Sequence, residues 1–390
     1  MGPRSRVKVA HVITRLDLGG AQQNTLYTCR NLDAERFDVL LIHGEGGLLD
    51  SDLASLPEGR PRLRRLSDLV HPLRPFQDLL AFLQLLNLFL SERPDVVHTH
   101  SSKAGILGRL AAWAAGVPVI IHTYHGFGFN DYQSAWTKGL YVLAERLSCR
   151  AASALVFVSK ANWEYAARHR LGDEKRYRLL RSGIKLSDYP AKGVDVQKKK
   201  ASLGLRMHKP LVLSIGNLKP QKNPGDFIAM AQAVNGRYPD AEFMFVGDGP
   251  LRRRLEFQIL SSELHGKVLL PGWRRDTAEL LACADVFVLT SLWEGLPRAL
   301  VEAMRSGLPV VCYATDGVRD LVKDGVNGFM LEQGDVLGLA RRVGELLGDE
   351  PLRQRIGKAA AASIGPEFDI DLMVDTQQRL YRELLEEHAG

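Results

Sequence analysis

The 390-residue chain is predicted to fold as two doubly wound α/β domains in tandem, each with a parallel sheet covered by helices on both faces. Short β-branched runs alternate with longer helical patterns along the chain, and the alternation restarts after a lysine-rich, turn-rich stretch near residues 182–210. The length also suits two hydrophobic cores better than one. We therefore place the first domain at residues 1–185 and the second at residues 186–372.

The strands are predicted from their short apolar runs between turn residues. In the first domain they fall at residues 7–13, 37–42, 95–99, 117–122 and 154–158. In the second domain they fall at residues 211–215, 241–246, 268–270, 286–289 and 310–313. Ligands of doubly wound sheets bind beyond the carboxyl ends of the strands, so the loops that follow the strands are the candidate site.

The stretch SLWEGLPRALVEAMRSGLPVV, residues 291–311, combines a loop with a helix start. Pro297 suits the first turn of a helix that stops at Gly307. The free amides of such a helix start attract anions, and Gly295 lets the backbone approach a phosphate closely. Arg298 adds positive charge. The loop therefore predicts a phosphate site.

Glu302 lies one turn into this helix among small side chains, where a carboxylate needs polar partners to offset burial. The vicinal hydroxyls of a ribose would supply such partners. The alternative is an exposed ion pair with Arg298, four residues earlier. The preceding loop favours the ribose interpretation.

A second phosphate signal lies in SIGNLKPQKN, residues 214–223. A glycine directly follows an apolar strand, and Lys219 and Lys222 come next as compact positive charges that can reach a diphosphate. A lysine pair after a strand is often only a solvated loop. The prediction therefore depends on this loop sharing a site with the Glu294 loop.

Histidines cluster on two predicted strands of the first domain, at His98, His100, His122 and His125. A metal site is one interpretation of HTH plus HTYH, but no Asp, Glu or Cys accompanies them and two of the four sit inside strands. We therefore predict no metal site. His125, at a strand end, is placed to point into the cleft, and His100 and Lys103 follow the preceding strand.

Charge and cysteine usage limit the class of protein. The net charge of +6 and pI near 9.1 favour acidic partners, but no nucleic-acid motif accompanies the basic clusters, so we expect no nucleic-acid partner. The four cysteines are far apart and form no CxxC pair, which predicts a reducing cytosol and no structural zinc. The apolar run at residues 79–90 is too short to span a bilayer.

These motifs together resemble the retaining glycosyltransferases of the GT-B fold, specifically the family numbered four. The family's pattern is two glutamates separated by seven residues with a Gly-rich turn, as at Glu294 and Glu302. The resemblance extends in chain order through LGGAQQN, DVVHTHSSKAG, HTYHG, SIGNLKPQKN, FVGDGP, ADVFVLTSLWEGLPRALVEAMRSGLPVV and DGVNGFML. It implies two Rossmann-like domains facing a cleft, with a C-terminal helix at residues 373–388 that crosses back to the first domain.

The resemblance also implies residue roles. His125 and Glu294 would contact the donor sugar at the reacting centre, and His100 and Lys103 would bind the acceptor. The implied donor-binding residues are Gly20, Asn217, Lys219, Lys222, Gly295, Leu296, Arg298 and Glu302. The family usually has arginine where this chain has Asn217, and asparagine cannot replace that charge. Lys219 or Arg298 is the expected substitute.

The implied reaction is transfer of a sugar from a nucleoside-diphosphate-sugar, UDP favoured over GDP, with retention of configuration and without cofactor or obligatory metal. HTYHGFGF resembles bacterial enzymes that extend sugars on a polyprenyl diphosphate carrier. We therefore expect a cytoplasmic protein that docks peripherally on the inner face of the plasma membrane through Arg60, Arg62, Arg64, Arg65 and apolar residues near 76–89. The alternatives to transfer are a sugar-nucleotide epimerase or hydrolase of the same fold, or a non-catalytic nucleotide-sugar-binding protein. The alternative to membrane docking by residues 79–90 is a helix packed on its own sheet.

Overall fold

The structure is a computed structural model that describes residues 6–53, 61–71, 73–129 and 132–390. The chain divides into two compact units. The first comprises Met1–Gly183 with Ile370–Gly390, and the second comprises Ile184–Asp369. The predicted domain boundaries, at residues 185/186 and 372/373, lie two and three residues later than these.

Both units are α/β. The strands are β1 Val7–Ile13, β2 Phe37–His43, β3 Arg62–Arg65, β4 Val96–His100, β5 Val119–Tyr124, β6 Ala154–Phe157, β7 Tyr177–Leu179, β8 Leu211–Ile215, β9 Glu242–Val246, β10 Val268–Leu269, β11 Val286–Leu289, β12 Val310–Tyr313 and β13 Phe329–Leu331. The helices are α1 Gly20–Asn31, α2 Asp50–Leu53, α3 Pro75–Glu92, α4 Ser102–Ala114, α5 Ala135–Cys149, α6 Lys160–Arg168, α7 Val196–Ser202, α8 Pro224–Asn235, α9 Arg252–Leu260, α10 Thr277–Ala282, α11 Arg298–Arg305, α12 Asp316–Arg319, α13 Val336–Gly348, α14 Glu350–Ala362 and α15 Ile370–Ala389. Single 3-10 turns lie at Glu174–Arg176, Leu186–Asp188, Pro220–Lys222 and Pro366–Phe368.

Each unit has one parallel sheet. The first has the order β3-β2-β1-β4-β5-β6-β7 and the second the order β10-β9-β8-β11-β12-β13. The order reverses between β1 and β4 in the first sheet and between β8 and β11 in the second. These are the topological switch points, where the connections leave in opposite directions and open a crevice for a ligand. The predicted fold class is confirmed.

Helices cover both faces of the first sheet. On one face, α3 and α4 bury side chains such as Leu85, Phe89 and Ala111 against β1, β2 and β4. On the other face, α1 packs beside α15, which contributes Tyr381 and Leu384 to the core. The C-terminal helix therefore belongs to the first unit, as predicted. The apolar run at 79–90 lies within α3, whose inner side packs on the sheet.

Three predicted features need correction. The strands β3, β7 and β13 were not predicted, and each lies at the edge of its sheet. β4 ends at His100 rather than near residue 99, and β5 runs from Val119 to Tyr124, two residues later than predicted at each end. His100 therefore lies inside a strand and His125 directly follows one. All four cysteines are free and buried.

Candidate active site

Two loops meet at the switch point of the second unit. One follows β8 and contains Lys222, and the other follows β11 and contains Glu294. The amide of Leu292 donates to the Gln221 carbonyl at 2.8 Å, and the Gln221 side-chain amide donates to the Trp293 carbonyl at 3.0 Å. These reciprocal bonds fix one loop against the other. The two loops of the predicted phosphate site therefore lie against each other, and their shared use by a ligand stays a prediction.

Lys222 and Glu294 form an ion pair across these loops. The side chain of Glu294 is 7% exposed and that of Lys222 is 19% exposed, so the carboxylate depends on this partner for charge compensation. The Thr290 hydroxyl donates to the Lys222 carbonyl at 3.0 Å and holds its backbone. The pair thus presents one ammonium group at the strand ends where a ligand would bind.

Glu302 lies inside α11 and is buried. Arg298, one turn earlier, lies 3.5 Å from its carboxylate, and the Tyr189 hydroxyl hydrogen-bonds to it. Burial raises the pKa of Glu302, while the Arg298 charge and the Tyr189 hydrogen bond act in the opposite direction. The predicted alternative of an ion pair with Arg298 is present, but its side chains are only 14% and 11% exposed, so it is not a solvated surface pair.

The start of α11 is closely packed. A Cβ at Gly317 would lie 1.9 Å from the Gly295 carbonyl oxygen, so α12 can begin against this loop only with glycine at that position. Leu296 is buried in the same segment. The backbone of Gly295 and Leu296 is therefore held in one place beside the first amides of α11, as an anion site requires.

Two hydroxyls that the sequence reasoning missed lie at the ends of β11 and β12. Ser291 and Thr315 are buried, and their hydroxyl oxygens have no hydrogen-bond partner among the residues that the structure describes. Buried polar groups are normally satisfied, so an unmatched pair at neighbouring strand ends indicates room for a polar ligand. Their position directly after two predicted strands was the available signal.

Asn217 and Lys219 lie on the loop after β8. Asn217 is half-buried, Lys219 is exposed, and the Lys219 amide donates to the Asn217 carbonyl at 2.8 Å. Arg298 faces Glu302, and Lys222 faces Glu294. That Lys219 or Arg298 substitutes for the family's arginine at the position of Asn217 stays a prediction.

At the switch point of the first unit, the loops after β1 and β4 are joined by hydroxyls. Thr14 and Ser101 share a hydrogen bond at 2.7 Å, and the Ala104 amide donates to the Thr14 hydroxyl at 3.2 Å. Gly20 begins α1 after the first loop. Lys103 lies in the first turn of α4 after the second loop and pairs with Asp78 of α3, so its charge is engaged within the unit. Its predicted acceptor contact is untested.

A buried histidine cluster lies beside this switch point. His11, His98 and His100 project from β1 and β4, and their ring nitrogens lie within 4.8 Å of one another, a spacing that could hold a metal ion. Burial lowers the pKa of His11 to about 3 and those of His98 and His100 well below the usual range. Both ring nitrogens of His98 already contact oxygen atoms at 2.7 Å, in Tyr381 and Thr123.

The cluster also places two predicted site residues. His100 is 2% exposed and contacts His125 at 3.2 Å between ring nitrogens. The sequence reasoning missed His11, although a histidine inside the apolar strand VKVAHVI was a visible signal. Tyr381 carried no signal, because its contact with the cluster arises only when α15 packs on the sheet.

The two parallel-sheet units and the paired glutamates after β11 define the chain as a two-domain glycosyltransferase of the GT-B fold. Residues 195–363 match the family model for glycosyl transferases group 1, and residues 19–183 match that for the glycosyl transferase 4-like domain. The UDP-Gal:alpha-D-GlcNAc-diphosphoundecaprenol alpha-1,3-galactosyltransferase of Escherichia coli is 32% identical over 384 residues, which is 98% of each chain. The putative glycosyltransferase EpsD of Bacillus subtilis is 27% identical over 72% of this chain and 75% of its own. The chain thus belongs to the group 1 (family 4) glycosyltransferases and is an enzyme of that class.

A solved structure agrees with this assignment at the level of the fold. Anabaena Alr3699/HepE in complex with UDP and glucose superposes with a TM-score of 0.83 at 20% identity, covering 97% of this chain and 100% of its own.

Proposed function

We propose that this enzyme transfers a sugar from a UDP-sugar to a sugar carried on a polyprenyl diphosphate, with retention of anomeric configuration. The observation that carries the proposal is the arrangement of Lys222, Glu294 and Glu302 at the switch point between β8 and β11. One ammonium group, one buried carboxylate on a helix and a helix start occupy the place where doubly wound sheets bind nucleotides.

The donor nucleotide would be held by groups of opposite character. Glu302 would accept hydrogen bonds from the two ribose hydroxyls, in addition to its contacts with Arg298 and Tyr189. Lys222 and the amides of Gly295 and Leu296 would face the diphosphate. The Ser291 and Thr315 hydroxyls would gain partners in the same complex. Glu302 and Lys222 thus address different parts of one ligand.

The transfer step would use this charge. As the bond between the anomeric carbon and the diphosphate breaks, negative charge develops on the leaving phosphate oxygen, and Lys222 with the helix-start amides stabilises it. The acceptor hydroxyl forms its bond to the anomeric carbon on the same face and gives its proton to the leaving phosphate. Glu294 and His125 would orient the donor sugar. Fixed cations and amides of this kind let the reaction proceed without a metal ion.

The choice of donor and acceptor rests on the relatives. The E. coli relative is named for galactose transfer from UDP-Gal to a GlcNAc linked to diphosphoundecaprenol, and the HepE structure contains UDP. UDP-galactose and a GlcNAc-diphosphate-polyprenol are therefore the first donor and acceptor to test. Guanosine donors are the comparison.

A lipid-linked acceptor would require the enzyme to approach a membrane surface. Among the described residues, no helix combines the length and apolar character needed to cross a bilayer. Instead, α5 exposes Trp136, Leu140, Leu143 and Leu147, and α3 exposes apolar residues of its own. Exposed apolar residues in such number indicate a surface that contacts lipid or protein.

The residues predicted to dock on the membrane include exposed apolar side chains, but their arginines are less available than expected. Phe76, Leu79 and Leu83 are exposed on the outer side of α3. Arg62, however, pairs with Asp38 and Glu92, and Arg65 pairs with Glu45. Leu90 of α3 is exposed as well. Arg64 lies 3.9 Å from Glu92, and Arg60 lies outside the described residues. We therefore assign the docking surface chiefly to α3 and α5.

Calorimetric titration of UDP and GDP tests the donor site. The wild type and Glu302→Ala are compared in the presence of EDTA, with Glu345→Ala as the matched control because Glu345 also pairs with an arginine one turn earlier on a helix of the same unit. Binding of UDP that is lost only in Glu302→Ala would support the proposal. Equal binding of both variants, or no nucleotide binding by the wild type, would contradict it.

The product tests the reaction class. Incubation with UDP-galactose and GlcNAc-diphosphate-polyprenol should give a disaccharide whose new anomeric centre, read from its proton coupling constant, keeps the α configuration of the donor. A β product would contradict retention. Free galactose or an epimer without disaccharide would favour a hydrolase or epimerase instead.

A further inference from the structure

The buried histidines of the first unit form a continuous chain of hydrogen bonds that ends at His125. From that end, His125 Nε2 lies 3.2 Å from His100 Nδ1, and His100 Nε2 lies 3.1 Å from His11 Nδ1. His11 Nε2 lies 3.4 Å from the Tyr381 hydroxyl. The hydroxyl lies 2.7 Å from His98 Nδ1, and His98 Nε2 lies 2.7 Å from Thr123 Oγ1.

The strand period of two explains how the chain forms. His98 and His100 are two residues apart, so their side chains project from the same face of β4. His11 of the neighbouring β1 is paired in register with His98. The helix α15 then covers this face and places Tyr381 between His11 and His98. Six groups on four elements are thus linked without a gap longer than 3.4 Å.

The protonation of this chain is constrained by the chemistry of imidazole. A neutral imidazole carries one N–H donor and one bare nitrogen that accepts. Burial lowers the pKa values of His11, His98 and His100, so these rings are neutral at neutral pH. Every link therefore needs one donor and one acceptor, and the choice at one link decides the next.

Two arrangements satisfy all the links with the Tyr381 proton donated within the chain. In one, each of the four histidines carries its proton on Nε2, and the chain donates from His125 toward Thr123. In the other, each carries its proton on Nδ1, and every bond is reversed. The Tyr381 hydroxyl selects between them, because its one proton goes to His98 in the first and to His11 in the second. Its contact with the Gln377 side-chain carbonyl, at 3.5 Å, is the longest of its three.

The first arrangement is favoured at Tyr381. A phenol is a stronger acid than an aliphatic hydroxyl, and imidazole nitrogen is a strong acceptor, so the shorter contact is the one along which the phenol donates. That contact, at 2.7 Å, is with His98, whereas the contact with His11 is 3.4 Å. Donation to His98 makes His11 the donor to Tyr381.

We propose that Tyr381 of the C-terminal helix sets the tautomer of His125, through His11 and His100, so that His125 keeps its proton on Nε2 and presents Nδ1 as a hydrogen-bond acceptor. Tyr381, His11 and His100 are then positioning residues. This role deepens the proposed function, because it rests on His125 as a contact of the donor sugar, whose hydroxyls would donate to Nδ1. His100, which is predicted to contact the acceptor, thereby also has a role within the protein, as a link between His11 and His125.

Nitrogen NMR of the histidine rings tests the proposal without requiring activity. Protein labelled with 15N-histidine is examined by long-range 1H–15N correlation, which distinguishes a protonated from a bare ring nitrogen. The signals of each ring are assigned by their disappearance from the spectrum of the corresponding single His→Gln variant. The wild type should show His11, His98, His100 and His125 all protonated on Nε2. A mixture of tautomers among these four would overturn the chain even in an active enzyme.

The variant Tyr381→Phe then removes the selecting hydroxyl while keeping the ring. The His125 resonances should move toward a mixture of the two tautomers, and kcat should fall about five- to tenfold, as expected for one neutral hydrogen bond, with UDP affinity unchanged. The matched control is Tyr177→Phe, a buried tyrosine of the same unit whose hydroxyl donates to the Leu171 carbonyl at 2.6 Å. It should leave the His125 resonances in place.

The outcomes separate this proposal from the proposed function. An unchanged His125 tautomer in Tyr381→Phe would overturn the role of Tyr381, whether or not UDP binds. If UDP did not bind but the expected tautomers were present, the proposed donor site would be rejected and the hydrogen-bond chain would still stand. If one equivalent of Zn²⁺ shifted the ring nitrogens of His11, His98 and His100 together, the cluster would be a metal site and the chain would be rejected.

Discussion

The Lys222 ammonium donates to the Glu294 carboxylate, and this contact joins two loops that are 72 residues apart in sequence and leave neighbouring strands β8 and β11. Glu294 is nearly buried, so the pair is held in a region of weak solvent screening. An arriving diphosphate would share the Lys222 charge with Glu294. Glu294 therefore holds the Lys222 ammonium group in position before the donor binds.

Replacement of Lys222 should weaken diphosphate binding selectively. In Lys222→Met, the affinity for UDP should fall about 10- to 100-fold, because a charge-assisted hydrogen bond is lost and Glu294 is left unpaired near the phosphates. The affinity for uridine, which has no phosphate, should be nearly unchanged. Calorimetry with both ligands measures the difference.

Lys219→Met is the control for this experiment, since Lys219 lies three residues away on the same loop but is exposed. Its effect on UDP affinity should be several-fold smaller. Equal losses for UDP and uridine in Lys222→Met would instead mean that the variant disturbs the loop as a whole, and the assigned role of Lys222 would be wrong.

The sequence predicted the central strands of both sheets better than their edges. Strands β1, β8, β11 and β12 have the predicted bounds, because central strands are buried on both faces and read as continuous apolar runs. The missed strands β3, β7 and β13 are edge strands of three or four residues. β3 is RLRR, and its arginines predicted a charged cluster rather than a strand. An edge strand pairs on one side only and tolerates such charge.

The site divides in the same way between local and long-range information. Glu294 and Glu302 are separated by a fixed spacing on one loop and helix, so a local pattern was enough to find them. Tyr189, which hydrogen-bonds to Glu302, lies more than 100 residues away in sequence, and nothing local marks it. Tyr381 reaches His11 and His98 in the same manner. Contacts made by packing of distant elements carry no spacing that a single sequence reveals.

A buried ion pair in the first unit should be important for its stability. Arg109 of α4 is fully buried and donates to Glu145 of α5 at 2.6 Å, to Tyr124 at 3.2 Å and to the Gly105 carbonyl at 2.8 Å. Arg109→Leu leaves the Glu145 carboxylate buried without its cation. We expect this variant to lose about 3–5 kcal/mol of unfolding free energy, measured by urea titration.

The double variant Arg109→Leu/Glu145→Leu tests the cause of that loss. Removing both charges removes the uncompensated carboxylate, so the double variant should be more stable than Arg109→Leu alone. If it were less stable by the sum of the two single losses, the pair would contribute through packing and its other hydrogen bonds rather than through charge compensation.

The buried histidines should make the protein sensitive to mild acid. Burial lowers the pKa values of His11, His98, His100 and His122, and for His11 the value is about 3. In the unfolded chain each would titrate near 6.5, so below that pH the unfolded state binds more protons than the folded state. Their contribution to stability is complete above about pH 6.5 and is lost progressively as the pH falls toward the folded values.

Urea unfolding between pH 7.5 and pH 5 measures this dependence above the range in which most carboxylates titrate. Each histidine should contribute about 1.4 kcal/mol per pH unit below its unfolded pKa, so the four together give a slope of about 5 kcal/mol per unit. The variant His11→Leu should reduce the slope by the contribution of one histidine, about 1.4 kcal/mol per pH unit. A slope near zero in the wild type would show that the histidines are not neutral and buried together.

The exposed apolar side of α5 should control binding to lipid. Trp136 is 91% exposed and Leu140 is 63% exposed on a helix that also exposes Arg146 and is followed directly by the exposed Arg150. An amphipathic helix of this kind binds an anionic membrane surface by burying its apolar side chains while its cations contact headgroups. In co-sedimentation with vesicles of phosphatidylcholine and phosphatidylglycerol, Trp136→Ser/Leu140→Ser should bind at least about tenfold more weakly than the wild type. The control is Phe257→Ser/Leu260→Ser, which removes two exposed apolar residues from α9 of the second unit and should leave binding unchanged. Wild-type binding that does not rise with phosphatidylglycerol content, or an equal loss in the control, would assign the apolar side of α5 to another partner.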